Sequence, residues 1–73
     1  MDYSVLDFGA LGNGSADDTA AIQAAIDACA SAGGGRVVLP GGRTFRSGAL
    51  VLRSHVEFHL EMGAVYFSTG GGE

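Results

Sequence analysis

The sequence predicts a mainly β fold that carries one α-helix, and three observations predict it. Short apolar runs alternate with turn residues from Arg36 to Ser68. An alanine-rich stretch before them places its larger apolar residues at helical spacing. Glycine fills 13 of 73 positions, well above the usual ~7%, and it gathers where these segments join. Strands this short and this closely spaced fit a sandwich, a barrel or a coiled parallel β-helix.

The elements follow in order. Tyr3-Ser-Val-Leu-Asp-Phe8 reads as a strand that runs into the loop Gly9-Ala-Leu-Gly-Asn-Gly14, where Asn13-Gly14 is a strong turn signal. A helix is expected from about Ala16 or Asp18 to Ala32. Ser15 and Asp18 resemble a capping box, and Asp17 and Asp18 sit against the positive end of the helix dipole. Ile22, Ala25, Ile26 and Cys29 form one narrow apolar stripe. Gly33-Gly-Gly35 stops the helix, because glycine takes the left-handed position without steric cost. Five strands are expected beyond it: Arg36–Leu39, Thr44–Arg46, Ala49–Leu52, His55–Leu60 and Val65–Phe67. Pro40-Gly-Gly42, Ser47-Gly48, Arg53-Ser54 and Met62-Gly63 separate them, and Thr69 to Glu73 reads as a loop. From His55 to Met62 the residues alternate, with Val56, Phe58, Leu60 and Met62 on one face and His55, Glu57, His59 and Glu61 on the other.

Bulk properties bound the function. At this length a chain buries only roughly 60% of its unfolded surface, so one marginal core is the limit. With 47% hydrophobic and 16% charged residues, the chain is built to fold. No apolar run approaches the ~18 residues of a membrane span. Eight acidic side chains against four basic ones, all arginine, give a net charge of −4, which argues against a nucleic-acid or anionic-lipid surface. One cysteine rules out an internal disulfide framework. Met1-Asp2-Tyr3 has neither the basic nor the apolar region of a secretion signal. The expectation is a cytoplasmic protein, or a mature part cut from a longer precursor.

Each chemical candidate has a plainer reading. Gly9-x-x-Gly12-x-Gly14 before a helix invites a phosphate cradle, but Asp17 and Asp18 would repel the phosphate and no Gly-Lys-Ser/Thr follows. As an acid/base pair, Asp17 and Asp18 would splay apart, and capping accounts for both. His55-x-Glu57-x-His59-x-Glu61 has zinc-compatible ligands on one strand face, though a solvated strand face explains the same alternation. Cys29 reads as a buried structural thiol. Arg36, Arg43, Arg46 and Arg53 could form an anion-binding face, with edge protection and solubility as the simpler roles.

Taken together, Tyr3 to Gly14, Asp17-Asp-Thr-Ala-Ala-Ile-Gln-Ala-Ala-Ile26 and Gly33-Gly-Gly-Arg-Val-Val-Leu-Pro-Gly41 closely resemble the opening of pectate-lyase-superfamily right-handed β-helix proteins. The run from Phe45 to Ala64 is similar to polygalacturonases of glycoside hydrolase family 28. The resemblance implies an N-terminal capping α-helix plus the first coils of a single-stranded right-handed parallel β-helix. Residues 1–35 would supply the strand, Gly loop and capping helix, and residues 36–73 the first coils, together one incomplete domain. It implies a parent that hydrolyses pectic polysaccharide with inversion, using carboxylates as general acid and base and no metal or other cofactor. The parent's partners would be that polysaccharide and the remaining coils, with no nucleic acid and no membrane, and its setting extracellular or periplasmic. The family's Asn-Thr-Asp, Gly-His-Gly and Arg-x-Lys motifs do not occur here. No catalytic, cofactor-binding or metal residue is therefore assigned to any position, and the chain alone is expected to be inactive. A pectate lyase, a rhamnogalacturonan hydrolase, or a non-enzymatic tailspike-like or structural β-helix would share this opening.

Overall fold

The structure, a computed structural model, describes residues 2–48, 50–51 and 53–68, with the side chain of Ser68 apart. Strand β1 (Asp2–Ser4) leads into a 3-10 turn (Val5–Phe8), a loop and helix α1 (Thr19–Ser31). Strands β2 (Gly35–Leu39), β3 (Thr44–Ser47), β4 (Val56–Leu60) and β5 (Val65–Ser68) follow. They make two parallel sheets, ordered β1-β2-β4 and β3-β5. All pairing is between strands far apart in sequence, as a coiled chain requires and a meander of hairpins does not.

The register exposes a repeat. Gly35 pairs with Val56 and Thr44 with Val65, both steps of 21 residues, so one coil of the chain lies on the previous one in both sheets. Tyr3 pairs with Val37, a longer step that accommodates the loop and α1. Asn13 bridges to Thr44 in the same parallel sense, which brings the loop into line with β3 and β5.

The core lies between the sheets and the helix. Ile22, Ala25, Ile26 and Cys29, the stripe expected from the sequence, are buried together with Val5, Val37, Leu39 and Phe45. Tyr3, Val56, Phe58 and Tyr66 pack against this cluster from the strands. The helix ends as the three glycines require. Gly34 N–H donates to Cys29 O at 2.9 Å and Gly33 N–H to Ala30 O at 3.0 Å, with Gly33 at φ 98°, a Schellman arrangement.

Four expectations are corrected. The first strand stops at Ser4, because Ser4 Oγ accepts from Leu6 N–H (3.3 Å) and left-handed Gly9 closes a 3-10 turn that buries Val5. The expected strand Ala49–Leu52 is not formed at its described residues, Leu50 and Val51, while Ala49 and Leu52 lie outside the described residues. Val51 instead has its N–H and C=O both taken by the Gln23 side-chain amide, at 2.8 and 3.0 Å. His55 is not in β4: it takes φ 65° in the preceding turn, and its carbonyl accepts from Gly35 N–H. The apolar alternation also fails beyond Phe58, since Leu60 is 41% exposed and Met62, in a turn, is 99% exposed. The loop expected from Thr69 to Glu73 lies outside the described residues.

Candidate functional site

The loop and helix start are held by one carboxylate. Asp18, 4% exposed, precedes the helix yet makes no side-chain bond to it. Its two oxygens reach back to accept from Leu11 N–H and Gly12 N–H, each at 3.1 Å. The Ser15/Asp18 capping box is therefore not formed, and Ser15 N–H donates to Asn13 Oδ1 instead. Strand β3 holds the other side of the loop, through Gly14 N–H to Thr44 O, Thr44 N–H to Gly12 O and Asp18 N–H to Arg46 O. Gly12 is fixed there sterically: a Cβ would lie 3.0 Å from Arg43 and Phe45. The amides a phosphate cradle would use are thus already paired, those of Leu11 and Gly12 with Asp18, that of Gly14 with Thr44 O and that of Gly9 with Leu6 O.

Asp17 does the helix-start work expected of the pair. It accepts from the Thr19 hydroxyl and from Thr19 N–H (3.0 Å), and those bonds, the hydroxyl first, hold its pKa below the ordinary carboxylate range. Arg46 adds a smaller effect in the same direction. Asp17 and Asp18 face separate partners, so their geometry is that of a tether and not of an acid/base pair.

The outer face of the β1-β2-β4 sheet carries a charged row. The strand register aligns Asp2, Arg36 and Glu57 across the sheet. Arg36 Nη1 lies 4.0 Å from Asp2 Oδ2, and its Nε lies 3.6 Å from Glu57 Oε2. The Arg36 Nε is shielded from solvent and has no hydrogen bond, so the Glu57 contact is an ion pair and not a hydrogen bond. His59 Nδ1 is 3.9 Å from the same Glu57 oxygen. Asp2, Gly35, Arg36, His55, Val56 and Glu57 line an open depression of about 420 Å³ here. All the ionic side chains are roughly half exposed, so each pair contributes about 0–1 kcal/mol.

The expected row His55, Glu57, His59 and Glu61 is dispersed by this arrangement. His55 has left the strand, Glu57 is paired with Arg36, and Glu61 accepts from Gly41 N–H at 3.2 Å. Among the described residues no group of three His, Cys, Asp or Glu side chains could hold a metal ion. The arginines do not converge either. Arg43 donates to Leu11 O, Arg46 to Ser15 O and Arg53 to Asp27. Cys29 is buried, as expected. Sequence reasoning missed Gln23 and Asp27, four apart on one helix face. Gln23 donates to Asp27, whose pKa is lowered by that bond first and by Arg53 second. Together they bind Val51 and Arg53 to the helix.

The arrangement is therefore a scaffold: stacked coils, a tethered helix and a row of paired charges. Known proteins share the fold. The mannuronan C5-epimerase AlgE3 of Azotobacter vinelandii is 57% identical over 63 residues, covering 77% of this chain and 3% of the epimerase. The A-module of A. vinelandii AlgE6, another mannuronan C-5 epimerase, superposes with a TM-score of 0.81 at 47% identity, covering 89% of this chain and 19% of the module. The family 28 exopolygalacturonase of Yersinia enterocolitica superposes with a TM-score of 0.76 at 45% identity, covering 88% of this chain and 11% of that enzyme. The chain spans under a fifth of the length of each protein it matches here. Its structural neighbours are parallel β-helix proteins. The model of the family described as rhamnogalacturonase A/epimerase, pectate lyase-like, matches residues 3–70, and the chain belongs to that family.

Proposed function

We propose that this chain is the opening of a β-helix enzyme acting on a uronic-acid polysaccharide, with α1 as the cap and β2 to β5 as the first coils. The stacked 21-residue coil carries the reading: its pairing leaves β4 and β5 at sheet edges, where further coils would continue the same register. The helix stripe supports the cap, since Ile22, Ile26 and Cys29 pack onto the inward residues Val37, Leu39 and Phe45.

The catalytic groups would lie on coils beyond this segment, and the charge row here would serve stability alone. Two chemistries compete. Inverting hydrolysis of galacturonan by general acid and base carboxylates is supported by the likeness to the exopolygalacturonase. Inversion at C5 of mannuronan is supported by the likeness to AlgE3 and to the AlgE6 module, so the narrower expectation of a polygalacturonase is not specific. A longer protein that begins with this segment separates them. Incubation with polygalacturonate should release reducing ends under the first reading. Incubation with polymannuronate should change the proton NMR spectrum without shortening the polymer under the second. Activity on neither polymer overturns the proposal, as does activity from the 73-residue chain alone.

A further inference from the structure

We infer that Asn13-Gly14 is a modification site, where the side-chain amide of Asn13 is lost through a succinimide, and that the hydrogen bond from Gly14 to Thr44 is its gate. This does not depend on which polysaccharide the family chemistry serves.

The chemistry is intramolecular. The Gly14 backbone nitrogen, once deprotonated, attacks Asn13 Cγ. An N–Cγ bond forms, the Cγ–Nδ2 bond breaks, and ammonia leaves with the hydrogen that the Gly14 amide gave up. Water then opens the imide at either carbonyl, which leaves an aspartyl or an isoaspartyl residue at position 13. Three features of this chain favour the step. Glycine follows the asparagine, so no Cβ obstructs the attacking nitrogen. Asn13 is exposed, and water reaches it. Asn13 Oδ1 accepts from Ser15 N–H at 2.9 Å and from Ala16 N–H at 2.8 Å, so two amides face the oxygen on which charge develops during the attack.

One feature opposes it. Gly14 N–H donates to Thr44 O at 2.9 Å, beside the parallel bridge that joins Asn13 to Thr44. A nitrogen in that bond keeps its proton, and its peptide unit is directed at β3. Thr44 N–H to Gly12 O (3.2 Å) and Arg46 Nη1 to Ser15 O (2.8 Å) hold the loop in line on either side. The electrophile is polarised while the nucleophile is held back, so the reaction waits on a local opening of the loop from β3. Its products do not close the gate again. The imide has no N–H for Thr44 O, and an isoaspartyl residue adds a carbon to the backbone beside the bridge. The loop that Asp18 secures then loses its register with β3, and the helix end of the molecule is where this chain ages.

Peptide mapping by mass spectrometry, with an enzymatic assay for isoaspartyl groups, follows the reaction in one mildly alkaline buffer with and without urea. Position 13 should convert in urea, and at least about tenfold more slowly in the folded chain. Hydrogen exchange of the Gly14 amide reads the gate separately, because exchange also needs that proton freed from Thr44 O. The slowing of deamidation should match the Gly14 protection factor to within about threefold. Arg46→Ala removes the bond to Ser15 O and lies outside the buried core cluster. It should raise the folded-state rate by about threefold and lower Gly14 protection in step, with the far-UV circular dichroism unchanged. No conversion in urea removes the site. Equal rates in the folded and unfolded chain overturn the gate, as does slow conversion with an unprotected Gly14 amide. A rate in Arg46→Ala that stays fixed while Gly14 protection falls overturns it equally.

Discussion

The two ends of the coil stack differ in how completely they bury what they carry. Around α1, the side chains of Ile22, Ile26, Cys29, Val37 and Leu39 are fully buried. Along β4 and β5, Leu60, Val65 and Phe67 are 41%, 45% and 51% exposed, although these strands are as apolar as β2. The helix end is finished by residues within the chain, through the Asp18 tether and the Gln23 clamp on Val51. At the other end, among the described residues, no further strand pairs with β4 or β5. In a coiled β fold, an apolar residue marks a position that can be buried, and the neighbouring coil decides whether it is.

Matched charge insertions at the two ends are the strongest way to break this comparison. Ile26→Asp buries an unpaired carboxylate and should cost about 4 kcal/mol or more, enough to unfold a domain of this size at room temperature. Phe67→Asp places the same charge on an exposed outer position and should change monomer stability by under about 1 kcal/mol. Urea titration followed by circular dichroism measures both. Equal losses would mean that the helix end is no better packed than the edge, and unchanged stability of Ile26→Asp in a longer chain would remove the capping role from α1.

Next in size is the tether. Asp18→Ala leaves Leu11 and Gly12 N–H groups without their charged acceptor and should cost about 2–4 kcal/mol. Asp18→Asn retains one acceptor oxygen and should cost less. The glycines sharpen the comparison further. Gly33 and Gly34 both have positive φ, so alanine is strained at either by about 1–2 kcal/mol. Only at Gly34 would the new Cβ also collide with the next coil, 2.6 Å from His55 O. Gly34→Ala should therefore destabilise clearly more than Gly33→Ala in the same titration. Equal effects would show that backbone conformation, and not coil stacking, dictates the residue.

Local rules made the helix, its glycine stop and β2, β3 and β5 legible, because each depends on a few neighbouring residues. What was not legible depends on the next coil. The strand begun at Tyr3 ends at Ser4, where a serine oxygen and a left-handed glycine offer a tighter turn that buries Val5. Val51 is β-prone, yet its backbone bonds go to a glutamine on the helix. The alternation from His55 to Met62 was sound as a pattern but says nothing of which rungs are covered. The 21-residue step could have been found: Gly42 and Gly63, Phe45 and Tyr66, and Ser47 and Ser68 recur at that spacing. The candidate site is legible mainly by elimination, and the sequence points Asp18 at the helix start, whereas its carboxylate accepts from the Leu11 and Gly12 amides of the loop.

The smallest expected effect separates the two neighbouring aspartates. Asp17 is on the surface, and its carboxylate is favoured in the folded chain by the Thr19 hydroxyl and N–H, with help from Arg46. A carboxyl whose folded pKa lies below its unfolded value contributes stability in full above the unfolded value, and loses it as pH falls through the folded one. The urea midpoint of the native chain should accordingly fall between about pH 5 and about pH 2. Asp17→Asn should flatten part of that slope, because its amide oxygen still accepts from Thr19 but cannot be protonated in this range. The residual slope belongs to the other carboxylates, including Asp27, whose folded pKa is lowered in the same direction by Gln23 and Arg53. A slope identical in native and Asp17→Asn chains would show that the Thr19 contacts are formed equally before and after folding. The helix start would then owe its fixed geometry to Asp18 alone.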